Sequence, residues 1–452
     1  MTVQQLSPLL YRSALRVSGL PPDGAPKLGP WLRGFIKDVD GRANFSLDPI
    51  VQELKDLIES KAEIRMLASA MLDEIPVKDP YKRNPSEHKH IRDYQHLLSL
   101  VSVIMNEVAP AWNMTKDHMA IIGEPFNILL DWPMNTPSGY AFFLRDDVNA
   151  KLKTILDTWR ERVLKTTKSQ YVLTTASGGW LCNAALRVIE EDANISVVPW
   201  ASFQAMFACE PERDPVYWGY ATWDDFFTRK FRDIDRFRPV SHPSDPAWVV
   251  HACESMPLAL TMNVKKYDKF WMKGQNYSVA EMLDHHELAD QFVGGTVHQS
   301  ILSSTQYHRW SSPVEGDVVF AKVIQGKYFA KTQTTGLDGQ GPDNIHQHEV
   351  YCSHIATRAI LFIQAPEPIG LMCLIALGAA DVSTCEITAK FSTGLPKPVA
   401  KGEELGMFHY GGSSCCLLFR KGVQLAWVPG AIPGNGKKNQ PIRGELALAY
   451  KS

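Results

Sequence analysis

The hydrophobic pattern of this 452-residue chain changes period partway along. Up to about residue 195 apolar residues recur at helical spacing. From about residue 248 short runs of Val, Ile, Phe and Leu alternate with Gly and Pro turns. Period 3.6 builds helices with one apolar face, and period 2 builds strands, so one uniform layer cannot serve both halves. The expected fold class is therefore α+β, with a mostly helical N-terminal domain followed by an antiparallel β-rich domain.

Local signals set the boundaries. Residues 1–44 are rich in Pro and Gly (Pro21, Pro22, Gly24, Pro26) and read as an extended arm. Asp48-Pro49 opens a helix, with Asp48 as N-cap and Pro49 in the first turn, before Ile50, Leu54, Leu57 and Ile58 at helical spacing. Further helical patterns cover residues 94–108 and 146–163, which gives a helical domain over 45–195. Residues 196–240 are dense in aromatics, among them Trp200, Phe203, Phe207, Trp223, Phe226 and Phe227. Rings at this density are expected to fill a core between two domains, in preference to forming a substrate platform. Residues 316–323 and 359–363 read as strands, and 336–347 as an exposed loop, within a catalytic domain over 196–452.

Charge and cysteine usage exclude several function classes. A net charge of -2 gives no general attraction to nucleic acid or an anionic membrane. No apolar run is long enough to span a bilayer. Residues 1–19 lack the apolar core of a secretory signal, though Arg12 and Arg16 without an acid leave a mitochondrial presequence open. The eight cysteines form no CxxC pair, which suits reduced, buried thiols and a cytoplasmic protein. His285-His286, His346-x-His348 and His88-x-His90 lack partners at ligand spacing, so no metal is expected. A Gly-x-Ser-x-Gly turn, which would mark a triad hydrolase, is absent around Ser413.

One turn carries chemistry. The stretch Gly402-Glu403-Glu404-Leu405-Gly406-Met407-Phe408-His409-Tyr410-Gly411-Gly412-Ser413-Ser414 ends a strand-like run in small residues. Attack of the Ser413 hydroxyl on the Gly412 carbonyl would convert that amide to an ester. Elimination would then cut the chain and leave dehydroalanine, which hydrolyses to a pyruvoyl group. Serine needs a base for this, and a glycine on the acyl side leaves the carbonyl unobstructed.

This turn resembles the self-cleavage segment of the phosphatidylserine decarboxylase family. Upstream blocks resemble the family in the same order. They are Trp223-Asp224-Asp225-Phe226-Phe227-Thr228-Arg229 with Arg238-Pro239, Cys253-Glu254-Ser255, Lys273-Gly274-Gln275-Asn276-Tyr277-Ser278, Tyr307-His308-Arg309-Trp310-Ser311-Ser312-Pro313, and Leu377-Gly378-Ala379. The resemblance implies self-cleavage between Gly412 and Ser413 and a covalent pyruvoyl cofactor made from Ser413, with neither pyridoxal phosphate nor metal. It further implies His308 as base or proton donor and Glu254, in place of the family's Asp, as the carboxylate that orients an imidazole. Ser311 stands where the family has a second histidine, and His251 and His409 are auxiliary candidates to replace it. Tyr328 and Phe329 are, by resemblance, the wall of the substrate side-chain pocket.

The absence of a membrane anchor, together with the added helical region, is similar to the family's soluble fungal branch. This implies decarboxylation of a free aromatic L-amino acid, tryptophan first, to the amine and CO2. Two alternatives stand beside it: phosphatidylserine decarboxylation, and an uncleaved, non-catalytic homologue resulting from Ser311. Family members are commonly dimers, so a homodimer is also an expectation.

Overall fold

A computed structural model describes residues 29–43, 45–76, 81, 85, 89–112, 124–195, 200–268, 277–330, 350–378, 384–410, 413–435 and 439–450. The loop expected at 336–347, most of the Lys273–Tyr277 block, and Gly411, Gly412 and Ala379 lie outside the described residues.

The helical part begins earlier than the sequence suggested. Gly29–Asp40 is a helix, which corrects the extended reading of 1–44 over that stretch. Its Gly29-Pro30 start belongs to a helical first turn, where proline's missing N–H costs nothing. Leu32 and Val39, two turns apart, are buried on one face. Asp40 at its end takes a bidentate contact from Arg92 (2.6 and 2.9 Å). Pro49–Ser60 starts as expected: Asp48 is extended, and its carboxylate accepts from the Ile50 amide (3.0 Å). Tyr94–Glu107 runs through the middle of this unit, with Leu97, Leu98, Leu100, Val101, Ile104 and Met105 all buried. Asp146–Trp159 packs beside it and continues as a π-turn, Arg160–Leu164. The Trp159 indole donates to the carbonyl of Val108 (2.8 Å).

The aromatic segment joins this helical core. Phe203, Phe207, Trp223, Phe226 and Phe227 are buried in it, whereas Trp200 is exposed. The same core takes in Tyr307, Tyr328 and Tyr410 from further along the chain. The rings therefore fill a seam between the helices and the sheets.

Among the described residues thirteen strands follow: β1 (Trp248–Val250), β2 (Met256–Met262), β3 (Thr296–Leu302), β4 (Arg309–Ser311), β5 (Gly316–Ile324), β6 (Arg358–Gln364), β7 (Leu371–Gly378), β8 (Cys385–Ile387), β9 (Lys397–Val399), β10 (Glu404–Phe408), β11 (Ser413–Phe419), β12 (Gln424–Trp427) and β13 (Glu445–Tyr450). All pairings between them are antiparallel. The main sheet has seven strands in the order β2-β3-β11-β7-β6-β5-β9. Two three-stranded sheets, β1-β13-β12 and β4-β10-β8, contribute to the core on one of its faces. Alternation sorts β11 between two cores: Cys415, Leu417 and Phe419 face the small sheets, and Cys416 and Leu418 face the opposite side. By the same period of two, Ser413 shares the face of Cys415.

Candidate active site

Ser413 opens an interior strand. It pairs with Leu302 of β3 on one side and Gly378 of β7 on the other, and only 1% of it is exposed. Its backbone is thus fixed from both edges. Its neighbour Ser414 lies on the opposite face and ties separate sequence blocks together. The Ser414 hydroxyl donates to the Ser300 carbonyl (3.0 Å) and accepts from the Gln299 amide (2.9 Å). Tyr277 donates to the Gln299 carbonyl oxygen (2.6 Å), and the Ser255 hydroxyl bonds that of Ser300 (2.8 Å). Blocks 253–255, 277–278 and 413–414, far apart in sequence, therefore meet across β3. Gln299 and Ser300, the residues that join them, carry no sequence signal.

Glu254 is fully buried, but its partner is not the expected imidazole. Its carboxylate binds the Arg238 guanidinium. Arg238 also donates to the carbonyls of Phe237 and Ala193 (2.7 Å each) and lies over the Phe231 ring. A buried guanidinium needs a counter-charge far more than a neutral imidazole needs a carboxylate, so this pairing prevails. Burial pushes the Glu254 carboxyl above its ordinary range, with the Arg238 charge opposing.

His308 is 1% exposed and stacks on Phe227, with ring centroids 3.9 Å apart. Its carbonyl accepts from the Phe408 amide (2.8 Å), which ties it to the strand leading toward Ser413. Neither ring nitrogen makes a hydrogen bond of good geometry, although the backbone of Gln306 and Ser303 favours the charged form. Burial, helped by the nearby Arg229 charge, holds the imidazole well below its usual pKa. The His308 imidazole is consequently neutral near pH 7. Arg229 itself is buried, donates to the carbonyls of Thr305 and Gln306 (2.6 and 3.0 Å), and packs on Phe207.

Ser311 lies against the carboxylate segment, its amide donating to the Ala252 carbonyl (2.9 Å). The two departures from the family pattern, Glu254 and Ser311, are thus spatial neighbours. The Ser311 hydroxyl is buried without a hydrogen-bond partner. His251 is buried near His298 and depressed to about 3, mainly by burial. It makes no side-chain hydrogen bond through Nε2.

His409 has the opposite character. Nδ1 meets Asp224 (2.7 Å) and Nε2 meets Glu386 (2.9 Å). Asp224 lies on the short helix Trp223–Phe227, capped by Thr222, and Glu386 lies on β8. Burial lowers the His409 pKa, but the two carboxylates together raise it above the usual value. Carboxylates on both nitrogens require both to carry hydrogen, which leaves no lone pair to accept a proton.

The expected pocket wall divides. Tyr328 is buried beside Thr357, whose carbonyl accepts from the amide of Gly378, the residue opposite Ser413. Burial raises its phenol to about 12. Phe329 instead turns into the helical bundle, edge-on to Phe143 at 6.0 Å. There it lines an apolar cavity with Leu54, Leu97, Phe126 and Leu152, the environment that suits a ring with no polar atom.

Among the described residues no cluster of His, Cys, Asp or Glu could hold a metal ion, and no helix is long and apolar enough to cross a membrane.

Residues 48–189 match one family described as phosphatidylserine decarboxylase, and residues 223–437 match a second of the same description. The chain is 38% identical to decarboxylase iboD of Amanita muscaria, over 73% of this chain and 92% of that protein. It is 32% identical to the L-tryptophan decarboxylase of Psilocybe cubensis, over 86% of this chain and 85% of that protein. Similarity to phosphatidylserine decarboxylase proenzyme 3 of Schizosaccharomyces pombe is 30% over 47% of this chain and 20% of that protein.

Proposed function

The chain belongs to the phosphatidylserine decarboxylase family, a family of carboxy-lyases, and from that premise we propose that it decarboxylates a free aromatic L-amino acid, tryptophan first. The observation that carries this reading is the extent of the match. Similarity to a tryptophan decarboxylase runs through the helical part, whereas similarity to the S. pombe phosphatidylserine decarboxylase covers less than half of the chain.

The cofactor in this reading is a pyruvoyl group formed from Ser413 by scission after Gly412. Ser413 fits that origin: it is enclosed, and its backbone is paired on both sides. Such a group supplies a conjugated carbonyl that takes up the electron pair left when CO2 departs, a service other enzymes draw from pyridoxal phosphate. In this reading His308 accepts the Ser413 proton during scission, and later returns a proton to the substrate α-carbon. Its depressed pKa suits the first role, since it stays unprotonated at neutral pH. His409 is excluded as that base by its two carboxylate bonds, and Ser311 by its chemistry. Glu254, held by Arg238, fixes the wall behind the site. In this reading Tyr328 would bound the substrate at the Gly378 end, and the aromatic seam would keep water from the departing carboxylate. A cytoplasmic location and a homodimer complete the proposal, the first suited to eight buried thiols.

Mass spectrometry of the denatured protein tests this. Wild type should give two chains, the smaller spanning residues 413–452 and blocked by a pyruvoyl group, and Ser413→Ala a single chain. An uncut wild type would sink the reading. The orphan Ser311 hydroxyl favours a second reading, a homologue that does not cut, and cleavage gained only in Ser311→His would establish it. Turnover of phosphatidylserine vesicles without turnover of tryptophan would instead assign the lipid substrate.

A further inference from the structure

The chain leading to Ser413 is held by an ion cluster that the proposed chemistry does not use. The Phe408 amide bonds the His308 carbonyl (2.8 Å), and the His409 amide bonds the Thr384 carbonyl (2.9 Å). The His409 ring bridges Asp224 on one side and Glu386 on the other. Tyr410 then packs edge-on against Trp159, Trp223 and Phe227. Only two residues separate this anchored stretch from Ser413, where β11 is paired on both edges.

We propose that His409 is a positioning residue: clamped between Asp224 and Glu386, it anchors the chain at residues 408–410, on the acyl side of the proposed scission, and that anchor serves the cutting step and persists after it. The inference rests on the reading that this bond is cut. Scission needs the attacking oxygen and its carbonyl aligned, and anchoring the chain on both sides of the bond, at residues 408–410 and at β11, favours that alignment. Asp224 and Glu386 come from different parts of the fold, the seam helix and β8. The clamp therefore couples the turn to both halves of the molecule.

Charge governs the clamp. Asp224 and Glu386 favour the imidazolium, and Arg160 of the π-turn opposes it; Lys165, with Arg160, stabilises the Glu386 carboxylate. With a folded-state pKa above the unfolded value, the stabilisation is complete at acidic pH and is lost as pH rises through the folded value. A neutral imidazole keeps a hydrogen on one nitrogen only, so one carboxylate is released.

The test uses full-length precursor from cell-free synthesis, shifted to a series of pH values, with scission followed by mass spectrometry. Wild-type scission should slow as pH rises past the His409 transition. Glu386→Gln, at a half-exposed position, should fold normally and move that transition to lower pH. His409→Gln should cut about ten- to a hundred-fold more slowly at neutral pH, without the transition. An unmoved transition in Glu386→Gln, or a wild-type rate and profile in His409→Gln, overturns the clamp. If His409→Gln fails to fold by circular dichroism, Glu386→Gln decides alone. An uncut wild type overturns both this inference and the reading beneath it, whereas a cut wild type with an unmoved transition overturns the clamp alone.

Discussion

Three buried side chains singled out by the sequence differ in what they ask of their surroundings. His308 is kept neutral by burial, His409 is kept charged by two carboxylates, and Glu254 is committed to Arg238. The last pair carries a direct prediction. Glu254→Gln removes the carboxylate that, among the described residues, pairs with a fully buried guanidinium. Breaking such a pair from one side costs about 3–5 kcal/mol, because the remaining charge stays out of water. Chemical denaturation in a Ser413→Ala background, which remains one polypeptide, should register that loss. Ser413 and His308 stand out in the sequence because each sits inside a compact motif. The Glu254–Arg238 and His409–Asp224 contacts do not, since they join residues 16 and 185 positions apart with no spacing rule to connect them. Phe329, set beside Tyr328 by resemblance, has a left-handed backbone (φ 59°) within a bend, and its ring meets Phe143 of the helical part.

At the scale of elements, local chemistry was the reliable guide. The Asp48-Pro49 signal marks a helix start that the structure reproduces, and Asp48 does more than cap. Its carboxylate also accepts from Arg162 (2.6 Å) and Asn106 (3.3 Å), which joins three helical segments at one point. Asp48→Ala should therefore cost at least the usual ~1 kcal/mol of a lost cap, up to about 2 kcal/mol. Thermal unfolding of the full chain would measure it. Strands β5 and β6 were visible as apolar runs between turn signals. The helix Gly29–Asp40 was hidden by the Pro- and Gly-rich stretch that precedes it, although its own residues carry a good helical face. Strands β4 and β8, three residues each, are too short for periodicity to register, yet they carry Ser311 and Glu386. β11 shows no alternation because both of its faces are buried, so its Cys-Cys-Leu-Leu-Phe run specifies burial without direction.

At the scale of the whole molecule, the helical and β-rich parts share a core of aromatic rings, and Tyr410 sits where they meet. The class of the fold followed from the change of hydrophobic period. The strand order did not, because it depends on long-range pairing that a single sequence does not encode in its spacing. That order yields a further prediction. Cutting before Ser413 would leave residues 413–452 as a separate chain whose β11 is hydrogen-bonded along both edges and whose β13 pairs with β1. The fragment should stay attached through native gel filtration and native mass spectrometry, and leave only in denaturant. Its loss under native conditions would contradict the sheet order.

The interior position of β11 also bears on the molecule's history. While the polypeptide is unbroken, its C-terminal strands reach their places on a tether, and closing that loop costs little. Once the bond before Ser413 is gone, the same strands would have to find the middle of a seven-stranded sheet as a free peptide. A matured molecule that unfolds has therefore lost the route by which it was assembled. The durability of such an enzyme would be set by how slowly it opens, since what was folded as one chain has no equivalent path back as two.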